Sequence, residues 1–475
     1  MEVSALSSIG APASIALLLA LIAVGYAILS HTLRRNDGRK YPPFASGGVW
    51  GNLRRRLASG AAFWMLDLAN ELETRVFQIE VPFLPPKSLV VVGELAPFRA
   101  ILTDPLSKKP RLYTHFRSIF GGNRAPTMFT MNGSGHHEKR KAVAPAFSSN
   151  HIKRMNKVAL DKTEEWIKNT LTNTTGSFDV SKEMIGIVVS ALSETAFEYD
   201  MTDEEKQIFG DDLKLTLREF TRKGPVIPLR RQFGFLVPER RRAVAAAQNL
   251  NDLARKILNA YRNKTTTVKG TIIQLIEDSD AFPTEDEKLA QLLEFLVAGH
   301  DTTAYSIAFT LIELAKRPDE QTKLRESLSR LSPENWSSCE QLKRVVKESM
   351  RLKPVGRSVR ESGSDVMTSK KEVIPKGSFC QLNFAVLFRN PDIFDDPDSF
   401  VPSRWENPTK EMMDAVTPFS LGKQNCVGQS LAKVEMFGII ARICSEFQLT
   451  LECEGILDFS LTVKPVGTRL IARKV

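Results

Sequence analysis

The sequence predicts a mainly helical α+β protein, in which one large domain follows an apolar N-terminal segment. Helical patterns dominate between about residues 132 and 351, and stretches rich in β-branched residues are short and lie towards the two ends. The 475 residues are 42% hydrophobic and 25% charged, with no repeat and no Gly/Ser linker. We therefore expect an anchor over residues 1–33 and a single domain over residues 34–475.

The N-terminal segment has the features of a transmembrane helix. Residues 11–29 carry no charge, and at about 1.5 Å per residue they nearly span a hydrocarbon core of roughly 30 Å. A cleaved signal peptide is the alternative, but Glu2 stands where basic residues are usual and no small-residue cleavage site is evident. The basic flank that follows predicts a cytoplasmic location for the rest of the chain and consists of Arg34, Arg35, Arg39 and Lys40.

The order of elements in the body can be predicted from periodicity. VFQIEVPF and KSLVVVGE favour an early strand pair. A final helix is expected from Val427 to Phe447. Between them, amphipathic or apolar periods predict helices over residues 151–172, 182–198, 203–222, 239–262 and 285–316.

Charge and cysteine content exclude several classes of protein. The net charge of +10 suits an acidic partner or an anionic membrane. The basic residues are scattered, without zinc-finger spacing or a base-stacking run, so no nucleic-acid partner is expected. Five cysteines without a Cys-x-x-Cys pair argue against a disulfide framework and a structural zinc site. One of them needs a different explanation.

Cys426 lies in PFSLGKQNCVGQSLA, where a loop becomes the last helix. A helix N-terminus favours a thiolate. We expect Gly422 and Gly428 to let a flat cofactor approach the backbone, and Phe419 to shield the sulfur. A thiolate ligand to haem iron promotes cleavage of the O–O bond of dioxygen. A small cysteine buried at a helix cap is the alternative when the loop is considered alone.

The spacing Phe419-x-x-Gly422-x-x-x-Cys426-x-Gly428 resembles the haem-binding loop of the cytochrome P450 family, the haem-thiolate monooxygenases. The resemblance implies the P450 fold, a haem b cofactor and Cys426 as the ligand of its iron.

A polar patch interrupts the long helix. FLVAGHDTTAYSIAF places Gly299 to Thr303 inside an otherwise apolar run, where polar groups are costly unless they are satisfied or used. Thr302 can bond back to the carbonyl of Ala298 and, with Gly299, open a groove in the helix. The patch is similar to the family's oxygen-binding motif. That resemblance makes Thr302 and Asp301 the catalytic residues that guide protons; His300 is interpreted as an ordinary helix residue.

A third resemblance concerns three charged residues. In VVKESMRLKP, Glu348 and Arg351 share a helix face, and Arg404 stands in FVPSRW about twenty residues before Cys426. They are similar to the Glu-Arg-Arg triad with which the family locks the cysteine side of its core. An ordinary surface ion pair is the alternative. Ser403 replaces a frequent Glu, which we expect to be tolerated.

The resemblance also implies residues that bind the haem propionates. His136 and Arg140 in GSGHHEKRKAV, and Arg360 in GRSVRES, match these positions, with solvated charge as the alternative for each. Two residues before the cysteine, where the family usually has Arg or His, this chain has Gln424. A neutral hydrogen bond there is about 1 kcal/mol weaker than a charged one, so haem affinity is expected to fall roughly tenfold.

The family resemblance implies a monooxygenase that inserts one oxygen atom of O2 into a lipophilic substrate. Its electrons are expected from NADPH through NADPH–cytochrome P450 reductase, with cytochrome b5 as a further partner. A single-pass location in the endoplasmic reticulum membrane follows from the anchor. FTRKGPVIPLRRQFGFLVPERRR mixes apolar and basic residues and is expected either to dip into the bilayer or to form a solvated loop.

Two other functions stay open from the sequence. One is a haem-thiolate isomerase or dehydratase that acts on a peroxide without a reductase, against which Thr302 argues. The other is a haem-binding membrane protein without enzymatic activity, for which Gln424 is the hint.

Overall fold

The computed structural model describes residues 38–57, 63–80, 88–119, 125–171, 176–223 and 233–475. The predicted transmembrane helix lies outside these ranges, as do Arg34 and Arg35. Within the ranges described, no helix is long and apolar enough to cross a membrane. The division into an anchor over residues 1–33 and a domain over residues 34–475 therefore stays a prediction.

Helices dominate the described residues, as the sequence predicts. In chain order they are α1 Gly48–Leu57, α2 Trp64–Glu71, α3 Leu95–Thr103, α4 Gly133–Val143, α5 Ser149–Trp166, α6 Val180–Phe197, α7 Asp203–Leu217, α8 Pro238–Arg262, α9 Ile272–Asp278, α10 Glu285–Ala315, α11 Pro318–Ser329, α12 Glu340–Leu352, α13 Phe384–Phe388, α14 Lys410–Ala415 and α15 Gln429–Glu446. Single π-helical segments extend α5 and α7, over Ile167–Leu171 and Arg218–Lys223. The six helices predicted from periodicity are confirmed to within a few residues at each end.

The strands form small sheets. They are β1 Val76–Glu80, β2 Ser88–Val92, β3 Ser177–Asp179, β4 Ser358–Glu361, β5 Val366–Met367, β6 Val373–Ile374, β7 Phe379–Leu382, β8 Phe447–Cys453, β9 Ile456–Phe459, β10 Val463–Val466 and β11 Arg469–Lys474. The predicted early pair is confirmed, because β1 and β2 are antiparallel in register Val76 to Val92. They continue into the order β1-β2-β7-β4, and β3-β11-β8 forms a second sheet.

Helix α10 lies at the centre of the molecule and packs against α6, α8, α12 and α15. It begins where Thr284 Oγ1 accepts a hydrogen bond from Glu287 N at 3.3 Å, and acidic residues fill its first turn. Its first half, residues 289–297, packs in one apolar cluster, and its second half, residues 304–315, packs in another. The polar patch therefore lies between the parts of α10 that pack in these two apolar clusters.

Candidate active site

The loop before α15 turns sharply and places Cys426 at its end. Ser420 and Gly422 have positive φ angles of 62° and 74°, and Cys426 N donates to Phe419 O at 2.9 Å. A Cβ on Gly422 would lie 2.5 Å from Leu102 O at the end of α3. The packing of the loop against α3 thus explains the glycine at position 422 without any cofactor. Its predicted cofactor role stays a prediction.

Cys426 is a free, exposed thiol, in contrast to the buried Cys339, Cys380 and Cys444. The surrounding protein raises the pKa of the Cys426 thiol by desolvation, while a hydrogen bond from Gly428 N–H and the charge of Arg140 act to lower it. Because Cys426 is exposed, the alternative of a small cysteine buried at a helix cap is wrong. The thiol is available to a ligand and sits beside groups that favour its thiolate form.

The ring of Phe147 lies between the cysteine loop and helix α10. A Cβ on Gly428 would lie 3.7 Å from the Phe147 ring, which is in ordinary van der Waals contact range. The Phe147 ring centroid is in turn 6.3 Å from that of Phe295, one turn of helix before the polar patch. Gly428 is half-buried, and the space beside it is open enough for the backbone to be approached.

Helix α10 has one accessible face near its middle. From Leu289 to Ala315 every residue is buried except Ala298, Gly299 and Thr302, which share one side of the helix. Thr302 Oγ1 donates to Ala298 O at 3.0 Å, as the sequence predicts. The expected opening of the helix is wrong, because α10 is a continuous α-helix through these residues. Gly299 instead allows close packing: a Cβ there would lie 2.8 Å from Leu192 of α6.

Asp301 is buried, and both of its carboxylate oxygens have partners. Oδ2 accepts from Thr462 Oγ1 at 3.2 Å, and Oδ1 lies 3.0 Å from His300 Nε2. His300 Nδ1 lies 2.7 Å from Leu296 O, so both ring nitrogens face acceptors. The charge of His300 helps to hold the pKa of Asp301 below its usual range despite burial. His300 is therefore the side-chain partner of Asp301, a role that the interpretation of His300 as an ordinary helix residue did not include.

Glu348, Arg351 and Arg404 form one buried cluster. Arg351 binds Glu348 with two hydrogen bonds of 2.8 and 2.9 Å, and Arg404 Nε donates to Glu348 Oε1 at 2.9 Å. Trp405 Nε1 and Val401 N complete the coordination of the carboxylate, each at 2.9 Å. The reading of Glu348 and Arg351 as a surface ion pair is therefore wrong, since both side chains are fully buried.

The three residues predicted to bind propionates lie in a common electrostatic environment. His136 and Arg360 are buried, and Arg140 binds Asn425, next to the cysteine, through Nη1 to O at 2.7 Å and Nη2 to Oδ1 at 2.6 Å. Burial, together with the charges of Lys109, Arg140 and Arg360, lowers the pKa of His136 to about 4. Burial is also the main cause that lowers the pKa of Arg360.

Lys109 is a fourth member of this group, and no sequence pattern indicates it. Its side chain is buried, and desolvation with the neighbouring charge of Arg360 lowers its pKa to about 7. No motif distinguishes it from the exposed Lys108 beside it. Only its distant contacts show that it faces inward.

These residues fit a haem group. Haem iron takes a thiolate ligand, and haem carries carboxylates that need cations. Lys109, Arg140 and Arg360 are cations whose side chains are partly or largely desolvated, and they could bind these carboxylates. The arrangement is that of a haem-thiolate protein.

The chain belongs to the cytochrome P450 family, because the sequence profile of that family matches residues 65–466. Human cytochrome P450 4F8 is 27% identical over 350 residues, which cover 66% of each chain, just under two thirds. Human cytochrome P450 3A7 is 25% identical, over 78% of this chain and 82% of its own. Cytochrome P450 4d8 of Drosophila melanogaster is 26% identical, over 72% of this chain and 83% of its own. Family membership implies haem as the cofactor and oxygenase chemistry as the class of reaction.

Proposed function

We propose that this protein is a membrane-anchored monooxygenase that inserts one oxygen atom of O2 into a lipophilic substrate, with electrons from NADPH delivered by a reductase. The observation that carries the proposal is the exposed thiol of Cys426, on a loop that lies beside Phe147, whose ring packs near Phe295 of α10. Haem bound to such a thiolate supplies oxygen activation for hydroxylation or epoxidation.

The residues of the chain have separate tasks in this proposal. Cys426 holds the iron, and Arg140, His136 and Arg360 bind the propionates. Thr302 is the polar side chain of the accessible α10 face, and its hydroxyl lies within hydrogen-bonding range of Ala298 O. By rotation about a single bond, this hydroxyl can donate a hydrogen bond to a group bound above that face. We assign Asp301 to the proton relay that serves this site. Its carboxylate lies on the buried side of the helix, where His300 and Thr462 orient it.

Two lysines near the cysteine loop are candidates for contact with the protein that delivers electrons. Lys433 Nζ lies 5.5 Å from the centroid of Phe419, and Lys347 Nζ lies 4.1 Å from the centroid of Trp405. Neither lysine is ion-paired to a carboxylate among the described residues. An acidic surface of a reductase, or of cytochrome b5, suits these lysines. Lys433→Glu is expected to slow reductase-supported haem reduction and to leave reduction by dithionite unchanged.

Membrane contact is supported by exposed apolar residues before α8. Phe233, Phe235 and Leu236 are exposed and are followed by the basic run Arg240–Arg242. This combination of apolar and cationic residues suits an interface with anionic lipid. A bilayer contact would give lipophilic substrates direct access, with the endoplasmic reticulum as the proposed location.

The decisive experiment is a reduced, carbon-monoxide difference spectrum of the purified protein. We expect a strongly red-shifted Soret band that Cys426→Ser removes. Cys453→Ser is the matched control, because Cys453 is the other exposed free thiol among the described cysteines, and this variant should keep the band. A band at the ordinary position in the wild-type protein would overturn the thiolate assignment.

Turnover separates the proposed function from its alternatives. A monooxygenase needs NADPH and reductase, whereas an isomerase or dehydratase converts a lipid hydroperoxide without them. We expect product from a screen of lipophilic substrates with reductase and NADPH, and none when the reductase is left out. Conversion of a hydroperoxide alone would identify the second function, and the absence of both reactions would favour a non-enzymatic haem protein.

A further inference from the structure

Gln424 raises the question of which residue supplies the charge that the family usually places two residues before the cysteine. Its side chain is half-buried, and Nε2 donates to Asn132 Oδ1 at 3.2 Å. Its Oε1 is buried and, among the described residues, has no donor. Gln424 therefore connects the cysteine loop to the residue that precedes α4.

Asn132 holds a second segment through its side-chain amide. Lys109 N donates to Asn132 Oδ1 at 2.8 Å, and Asn132 Nδ2 donates to Lys109 O at 2.9 Å. The two hydrogen bonds fix the backbone of Lys109 as a strand partner would. Because Asn132 Oδ1 also accepts from Gln424, the position of Lys109 is tied to the cysteine loop through one amide.

The side chain of Lys109 is buried without a counter-ion in contact. It is 8% exposed, and its Nζ donates to Met128 O at 2.9 Å and Met131 O at 3.2 Å. An ammonium group has three N–H donors, so one is left. Lys139, which is comparably buried, instead pairs with Glu287 at 2.5 Å. Within the described ranges, no carboxylate lies within ion-pairing distance of Lys109.

The charges around Lys109 are mostly of its own sign. Burial is the main cause that lowers its pKa, Arg360 and Arg140 lower it further, and Glu294 is the carboxylate that acts in the opposite direction. Glu294 is itself engaged, since its Oε2 accepts from Phe129 N and its Oε1 from Gln291 Nε2, both at 2.9 Å. Burying several cations without an anion destabilises the folded protein. A carboxylate of a bound ligand would supply the missing negative charge.

We propose that Lys109 binds a haem propionate in place of the missing basic residue at position 424, and that Gln424 and Asn132 hold Lys109 in position. The inference rests on the proposed haem-binding function and extends its binding site. Gln424 is then a positioning residue. The positive charge comes from Lys109 instead of from position 424, and hydrogen bonds through Asn132 link Lys109 to the cysteine loop.

A structural role for Lys109 makes a different prediction. If its ammonium group serves only to bind the carbonyls of Met128 and Met131, any loss of haem in a variant would result from a disordered loop. A new cation at position 424 would not repair that loop. Rescue by such a cation is thus the measurement that separates the two roles.

The first test measures the rate of haem transfer from the holoenzyme to apomyoglobin. Lys109→Met keeps the length of the side chain and removes its charge, and we expect transfer to be roughly tenfold faster. Lys108→Met is the control, because Lys108 is exposed and pairs with Glu361 at 3.2 Å. Lys109→Arg should transfer haem at close to the wild-type rate. Equal rates for Lys109→Met and Lys108→Met would overturn the proposal.

The second test is the rescue. Gln424→Arg should slow haem transfer strongly in the Lys109→Met background and only slightly in the wild-type protein. If Lys109→Met does not fold, Asn132→Ala replaces it: this variant keeps the lysine, loosens its segment and should transfer haem a few times faster, again with rescue by Gln424→Arg. Failure of the rescue contradicts the proposal. A wild-type protein without the red-shifted carbon-monoxide band would instead refute the proposed function itself.

Discussion

The cluster around Glu348 and the cluster around Lys109 are both buried groups of charge, but they differ in their counter-ions. Two arginines share one carboxylate in the first, and its remaining hydrogen bonds are made by Trp405 and Val401. The second consists of Lys109, Arg140 and Arg360, and Glu294, the carboxylate that acts on Lys109, accepts its hydrogen bonds from other groups. A cluster that contains its own anion serves the fold, whereas one that lacks it is suited to a ligand.

Glu435 is an ionisable residue that is buried in a third way, as a neutral group. It is buried in α15, and within the described ranges its Oε1 has no hydrogen-bond donor. Burial raises the pKa of its carboxyl group to about 8, so the group is neutral at pH 7. The three regions together predict that mutations affect stability, pH dependence or cofactor retention according to how each charge is balanced.

The largest expected effect is that of Glu348→Gln. The change leaves Arg351 and Arg404 buried without their carboxylate, which typically costs about 3–5 kcal/mol. We expect the free energy of unfolding in urea to fall by that amount. Glu340→Gln at the exposed start of the same helix is the control and should change it by less than about 1 kcal/mol. If Glu348→Gln lowers the free energy of unfolding by no more than the control does, the Glu348 cluster does not serve the fold and its contrast with the Lys109 cluster is wrong.

Glu435→Gln should change the pH dependence of stability. Because the pKa of Glu435 is raised in the folded protein, its contribution is fully present below the unfolded pKa of about 4.5 and is lost as pH rises through about 8. Between pH 6 and pH 9 the wild-type protein should lose on the order of 2–3 kcal/mol more than the variant. Glu446→Gln, at the exposed end of the same helix, should follow the wild-type profile in urea unfolding.

Arg360→Met should affect the cofactor more than the fold. Arg360 Nη1 donates to the carbonyl of Val359 at 2.9 Å, and no carboxylate pairs with it in the described chain. We expect haem transfer to apomyoglobin to be about tenfold faster, with less than about 1 kcal/mol lost from the stability of the apoprotein. Arg473→Met, an exposed change in β11, should alter neither quantity. A large loss of apoprotein stability would place Arg360 with the Glu348 cluster instead.

Residues that belong to strong local patterns could be predicted from the sequence. The sequence predicts the long helix over 285–316, and the structure shows it over Glu285–Ala315, because its apolar run is continuous. Glu348 and Arg351 could be paired from their spacing on one helix face. Arg404 could be added only through the family resemblance, since it lies fifty-six residues from Glu348 in sequence.

What could not be predicted depends on contacts between distant segments. Lys109 and Lys108 are neighbours of the same type, and only the carbonyls of residues 128 and 131 and the amide of Asn132 determine which is buried. Gly422 is a similar case, because its need for a missing side chain comes from Leu102. His300 gave a weak signal, as a polar residue on a buried helix next to Asp301, but its pairing depends on rotamers that a sequence does not specify.

The smallest expected effect concerns His136. Burial and the cations around it lower its pKa to about 4, so His136 is neutral at pH 7 and offers the cofactor a neutral hydrogen bond at most. His136→Gln keeps a neutral donor and should change the rate of haem transfer by less than about threefold. His136→Phe removes the donor and should speed transfer a few times, still less than Arg360→Met. A tenfold effect of His136→Gln would mean that a bound carboxylate restores the imidazolium, which would place His136 among the charged members of the Lys109 cluster.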